Sequence, residues 1–376
     1  MSKIIIGADI VPTLSNYKFF ENCCMDKIID KELFSLLNKF DYRIFNLEVP
    51  LVDTKKPIKK CGPNLMASKK TINGLKQLKI DFVTLANNHI LDQGEQGLKS
   101  TINQLKKAKI SYCGVGNTKE EASKAYIFEI DKKKIGIYCC CEHEFTIVND
   151  EHAGANPFNA LESLDHIENL KKVCDYVICL FHGGKEYYRY PSPDLQKTCR
   201  KIVEKGANLV ICQHSHCIGC EEHWENGKII YGQGNFLFDN CDNEFCDTSI
   251  LVSVDIEKNK IEYIPICKNG NGVRLAKKEK NKILNEFLER SKMVDNKKFL
   301  NENYNKFCDK FYSLLLLLGG VNIRSYLYRG INKLSGYKLG KWWSKHILSE
   351  EKKLMLRNYI ECEAWREVLI NLLKLK

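Results

Sequence analysis

Short apolar runs alternate with segments of helical periodicity along most of this chain, and no other feature limits its fold so strongly. Residues 3–7 (KIIIG), 43–47 (RIFNL), 81–85 (DFVTL), 175–181 (DYVICLF) and 209–212 (LVIC) read as buried strands. Between them, helical spacing of apolar residues predicts helices over 27–40, 69–78, 95–108, 161–173 and 195–205. Gly206 closes the last of these at a C′ position. Repeated strand–helix alternation is the signature of an α/β domain with substantial parallel pairing. Two hairpins break the alternation: 125–130 with 135–140, and 250–254 with 261–266. A further short strand falls at 228–231.

Each of the five runs ends at, or within a few residues of, a side chain able to bind a metal. These are Asp9, Glu48, Asn88, His182, and the pair His214 and His216. In α/β sheets the carboxyl edge of the strands is where ligands bind. Histidine is the commonest metal ligand, and two imidazoles one residue apart can reach a common point from a loop. Two carboxylates, one amide and three imidazoles suit a hard-to-borderline divalent pair such as Mn, Fe or Zn. A two-metal site needs a carboxylate between the ions, and Glu48 is the natural bridge. The competing arrangement is a structural zinc site made of His214, His216, Cys217 and Cys220, which crowds four ligands into one seven-residue loop. Cys217 and Cys220 are better placed to pack beneath that loop.

Other motifs exclude function classes. Gly114 and Gly116 lack the third glycine of a dinucleotide fingerprint. Gly183-Gly184-Lys185 lacks both the leading glycine and the trailing hydroxyl of a phosphate loop. His143 and His152 fall in a polar loop and read as surface residues. The N-terminus shows no signal peptide, and the longest apolar run, 314–318, is too short for a transmembrane helix. The expected location is therefore the cytoplasm. In that compartment the 18 cysteines imply no disulfide framework, and Cys139, Cys140 and Cys141 act as small buried hydrophobes.

Charge divides the chain. Lysine plus arginine balance aspartate plus glutamate at 36 each over residues 1–276, against 22 and 11 over 277–376. We therefore expect a chemistry-bearing domain over 1–272 and a basic helical region over 273–376, with helices at 277–293, 303–318 and 350–374. The basic tail reads either as a solvated helical face or as a surface for an acidic polymer or an anionic membrane, with nucleic acid the least expected partner. Trp342, Trp343 and the run 314–318 are expected to pack on the core, with a monotopic membrane contact as the alternative.

Seven stretches taken together resemble the CapA family of bacterial capsule-synthesis (poly-γ-glutamate) proteins, which are similar to calcineurin-like metallophosphoesterases. They are GADI (7–10), NLE (46–48), LANNHILDQG (85–94), GVGNTKEEA (114–122), HGGKEY (182–187), GANLVICQHSH (206–216) and YGQGNFLFD (231–239). The resemblance implies a β-sandwich flanked by helices, and one or two divalent ions. One ion would take Asp9, Glu48 and His216; the other would take Glu48, Asn88, His182 and His214. His89 would act as general acid. Asn87, Asp92, Lys185, Glu186, Arg189 and Asn235 are the expected substrate contacts. The chain departs from the wider superfamily after its first strand, where Ile10-Val11 replaces the expected x-His. The resemblance implies capsule production, either as a metal-dependent hydrolase of a phosphoester or amide bond or as a non-catalytic component of a synthesis or export complex. The implied partners are an anionic polymer or phosphorylated small molecule, capsule-synthesis membrane proteins, and the inner face of the membrane.

Overall fold

Ile4, Ile5 and Ile6 are all fully buried, so both faces of the first strand are covered. This strand, β1 (Lys3–Ile10), lies within an eight-stranded sheet. On one side the sheet continues in parallel through β2 (Tyr42–Leu47), β3 (Phe82–Thr84) and β4 (Ser111–Cys113). On the other it continues antiparallel through β14 (Thr248–Asp255), β15 (Lys260–Asn269) and β16 (Gly272–Leu275). The short strand β13 (Asn235–Leu237) pairs in parallel with the C-terminal end of β1. The computed structural model describes residues 3–60, 62–238, 243–311 and 326–361.

A second sheet has six strands. Its parallel centre is β7 (Lys133–Cys141), β9 (Tyr176–His182), β10 (Leu209–Gln213) and β12 (Gly227–Ile230). Antiparallel β6 (Tyr126–Ile130) and β11 (Glu221–Trp224) form its two edges. β5 (Val115–Gly116) and β8 (Gly154–Ala155) make a small separate ribbon. Apolar side chains of both sheets share one core, among them Ile6 and Ile44 from the first and Ile137, Ile178 and Ile211 from the second. The result is an α/β sandwich flanked by helices.

The outer face of the second sheet carries its own core under the helices Ser163–Val173 and Pro193–Glu204. Strand alternation sends Cys139 and Cys141 into the shared core and Cys140 into the outer one, all three buried. The second helix starts where Ser192 accepts from the Leu195 amide with Pro193 at its first turn, and it ends at Gly206, φ 110°.

One expected helix is interrupted. Over 27–40 the chain forms a short 3-10 turn, Met25–Lys27, and then the helix Lys31–Leu37. Asp30 divides them: its backbone is extended, and its carboxylate accepts from the Leu33 amide at 2.6 Å. N-capping here wins over helical periodicity.

The chain divides into two units, Met1–Leu300 and Asn301–Lys376. This places the division later than the expected 272, because β16 pairs with β15 and the helix Lys280–Lys292 buries Ile283 and Phe287 in the first unit's core. The second unit contains the helices Tyr326–Leu334, Lys338–Ile347 and Glu350–Glu361. Trp342 is 55% exposed there, so it does not pack on a core as expected. The run 314–318 lies outside the described residues. Among the described residues no helix is long and apolar enough to cross a membrane. Cys246 is disulfide-bonded, whereas the other described cysteines are free.

Candidate metal centre

The site forms where the carboxyl ends of parallel strands from both sheets meet. In β1 the register with β2 shifts between Ile6 and Asp9, an irregularity that re-aims the strand end. Gly7 permits it, because a Cβ there would lie 2.0 Å from the Phe45 ring. Asp9 ends level with Asn46 of β2 and Asn235 of β13. Glu48 directly follows β2, and His182 is the last residue of β9. After β10 the chain turns sharply, with positive φ at His214 (101°) and His216 (52°). Two such non-glycine residues flanking Ser215 amount to strain held at a site.

Two overlapping groups result. Ligand atoms of Glu48, His182 and His214 lie within 4.8 Å of one another, and so do those of Asp9, Glu48 and His216. All five residues are buried. Asn88 joins the first group, its Oδ1 3.1 Å from His182 Nε2. Both Glu48 carboxylate oxygens, Asp9 Oδ2 and His214 Nδ1 are buried without a hydrogen-bond partner. Their nearest charges are His182 Nε2, 3.5 Å from Glu48, and His216 Nδ1, 3.6 Å from Asp9. Buried anionic oxygens left this way are costly unless something else satisfies them. With carboxylate, imidazole and amide donors converging, the residues fit a divalent metal.

Electrostatics tie the groups together. Burial alone would raise the Glu48 carboxyl, but the charges of His182, His216 and His89 outweigh it and hold Glu48 below the usual carboxylate range. Burial opposes the charge on His216 too, yet Asp9 and Glu48 prevail and push it up to about 9. His214 goes the other way: burial, then the neighbouring His182, hold it well below its ordinary value.

A second layer of side chains orients these ligands. Asn46 Nδ2 donates to Asp9 Oδ1 at 2.8 Å and lies 3.3 Å from His182 Nδ1. Asn87 fixes Asn46 in turn, its Nδ2 3.2 Å from Asn46 Oδ1 and 2.9 Å from the Leu47 carbonyl. Asn235 Oδ1 is 2.9 Å from His216 Nδ1. Tyr187 lies over His216 with ring centroids 6.0 Å apart. Such outer partners set tautomer and ring orientation. The sequence reading missed Asn46, although an amide inside the apolar run RIFNL is the signal that would have found it.

Residues 4–240 match the model of a family described as bacterial capsule synthesis protein PGA_cap. The chain belongs to this family. The capsule biosynthesis protein CapA of Bacillus anthracis is 29% identical over 212 residues, which cover 54% of this chain and 52% of that protein. The PGA biosynthesis protein CapA of Bacillus subtilis (strain 168) is 28% identical over 238 residues, covering 60% of this chain and 61% of that one. The chain thus spans less than two thirds of the length of either relative. A phosphatase of Mycoplasma pneumoniae superposes with a TM-score of 0.44 at 17% identity, covering 71% of this chain and 94% of that one.

In this PGA_cap member the expected substrate contacts separate. Asp92 is fully buried and already engaged: Lys60 Nζ at 2.5 Å, His89 Nδ1 at 2.6 Å and the Leu65 amide at 2.6 Å. Its carboxylate is spent on these groups and orients His89. Asn87 is also fully buried and spends its amide on Asn46 and Leu47. Arg189 is committed to the Ile218 carbonyl at 2.8 Å and stacks on Phe245, so it clamps the loop after His216. Asn235 serves His216. Lys185 and Glu186 are exposed, on the loop after His182. His143 is exposed, while His152 is half-buried and lies 3.0 Å from the Asn149 amide. Cys217 and Cys220 are buried and stand in neither ligand group, so the local zinc arrangement does not form.

Proposed function

We propose that this chain is a divalent-metal-dependent hydrolase that cleaves a phosphoester or amide bond during production of a capsule polymer, poly-γ-glutamate or polysaccharide. The observation that carries this reading is Glu48, one buried carboxylate shared by two ligand groups, with neither oxygen in a hydrogen bond. Asp9, Glu48 and His216 would hold one ion, and Glu48, Asn88, His182 and His214 the other; Mn, Fe and Zn all suit these donors. A bound divalent ion supplies Lewis-acid polarisation and stabilises developing negative charge.

The chain's own residues do the rest. His89 Nδ1 donates to the Asp92 carboxylate, which leaves Nε2 as the atom able to pass a proton to a leaving group. Asn46 and Asn235 keep Asp9, His182 and His216 in fixed orientations. Lys185 and Glu186 are free to meet an anionic polymer or a phosphorylated small molecule. Capsule-synthesis membrane proteins are the proposed macromolecular partners.

A second reading rests on Val11. This residue stands where the wider superfamily supplies a histidine, and it is 2% exposed and apolar, so the Asp9 group has three ligands. A chain with a weakened metal group serves as a non-catalytic, polymer-binding component of a synthesis or export complex.

One experiment separates the readings. Divalent metal is measured in the purified full chain and in Glu48→Gln and His214→Ala, alongside hydrolysis of phosphomonoester, phosphodiester and γ-glutamyl amide substrates. Stoichiometric metal and hydrolysis, both lost in the variants, support the hydrolase. Metal without hydrolysis of any of the three favours the binding component, and absence of bound metal sinks the hydrolase reading.

A further inference from the structure

We propose that the helical hairpin of the second unit is a docking surface for an anionic lipid bilayer. Residues 326–349 carry five basic side chains and no acidic one. The helices Tyr326–Leu334 and Lys338–Ile347 pack against each other. Among the described positions of these two helices Asn332, Gly340 and Ser344 are buried, and Asn332 Oδ1 accepts from the Gly340 amide at 2.8 Å. Gly340 and Ser344, one turn apart, therefore mark the inward face of the second helix.

Large apolar side chains are left on the outside. Lys338, Trp342 and Lys345, at i, i+4 and i+7, form one exposed stripe, with Trp342 55% exposed. On the first helix Ile331 (46% exposed) and Leu334 (89% exposed) share a face three residues apart, beside exposed Lys333. Lys341 is engaged with Asp309 at 3.5 Å and is not counted in this surface.

Exposed tryptophan and leucine set among lysines, with no carboxylate on either helix, is the makeup of a helix that lies in the headgroup layer. The apolar tips enter the acyl boundary while lysine stems reach back to the phosphates. Charge selects the occupant: a hairpin whose own residues 326–349 include no acidic one is drawn to anionic headgroups and gains little from neutral ones. Neither helix is long and apolar enough to cross, so the contact is peripheral. The inference does not depend on the metal centre.

The test is co-sedimentation of the full chain with vesicles of phosphatidylcholine alone and with about a third phosphatidylglycerol, at ~0.1 M salt. Binding is expected only with phosphatidylglycerol, and it should weaken as salt rises. Lys338→Gln with Lys345→Gln is expected to lower the partition coefficient about 25-fold, at roughly fivefold per lysine. Trp342→Ser is expected to lower it while leaving the salt dependence intact. Equal binding to both vesicles, salt-independent binding, or an unchanged coefficient in the double variant would overturn the proposal. So would a wild-type chain that ignores lipid and instead self-associates or binds a protein. The salt series uses only wild type, so misfolding of a variant leaves it decisive.

Discussion

Asn46 Nδ2 lies 2.8 Å from Asp9 Oδ1, and the same amide group is 3.3 Å from His182 Nδ1. One side chain on β2 thereby links a ligand from each of the two groups that share Glu48. Asn46→Ala would leave an Asp9 oxygen and a His182 nitrogen buried and unpartnered. We expect metal affinity to fall about 10- to 100-fold, as for other outer-layer partners, with a stability loss of ~1–3 kcal/mol. Calorimetric metal titration and denaturant unfolding measure the two effects separately.

Metal binding should depend on pH through His216 and His182, both raised, despite burial, above the ordinary imidazole value by Glu48 and Asp9, and not through His214. A ligating imidazole must be neutral. His216 holds its proton up to about 9, so below that pH binding at its group must release a proton. Affinity there should rise roughly tenfold per pH unit towards 9 and then level off. His214 is already neutral at pH 7 and contributes no such slope. For the metal-free protein the sign reverses. The folded-state value of His216 lies above its ordinary 6.5, so its contribution to stability is complete below 6.5 and is lost as pH rises through about 9. Titration calorimetry in buffers of different ionisation enthalpy counts the protons, and His216→Gln should remove those released at the Asp9 group while leaving the share from His182.

Asp92→Ala should act on stability and not on substrate affinity. Lys60 and Asp92 form an ion pair with side chains 3% and 0% exposed. Removing one partner leaves a buried ammonium without its counter-charge, which costs about 3–5 kcal/mol. Lys60→Met combined with Asp92→Ala should recover part of that loss. A double-mutant cycle by chemical denaturation provides the measurement; an additive result would show that the pair is not coupled.

Gly7→Ala should destabilise the fold and disturb the metal centre together. The new methyl would meet the Phe45 ring at 2.0 Å, closer than any tolerated contact. Overpacking of this kind costs about 1–3 kcal/mol. Because Gly7 sits within the register shift that aims Asp9, metal affinity should fall as well. Melting curves with and without added metal report both.

Most of the site was legible because its ligands stand at the ends of apolar runs, where a local pattern shows a strand stopping. The supporting residues were not. Lys60 lies in the basic stretch 55–60 and reads as a solvated loop, yet its ammonium is buried against Asp92 and the Asn88 carbonyl. Asp92 reads as a substrate contact for the same reason, yet its carboxylate is fully buried and held by the chain's own groups. Its partners are Lys60, 32 residues earlier, Leu65 and His89, and only one of them is near it in sequence.

The sequence by itself determined the strand–helix alternation, the strand ends that carry Asp9, Glu48, His182 and the histidine pair, and the basic character of the tail. These are local properties, set by side-chain periodicity and by where apolar runs break. Only the tertiary structure decided that both sheets deliver their carboxyl edges to one place, so that Glu48 belongs to two ligand groups. It also decided that the first unit reaches Leu300 and that Trp342 faces outward. Those outcomes depend on strand register and on burial between segments far apart in sequence, which no local pattern encodes.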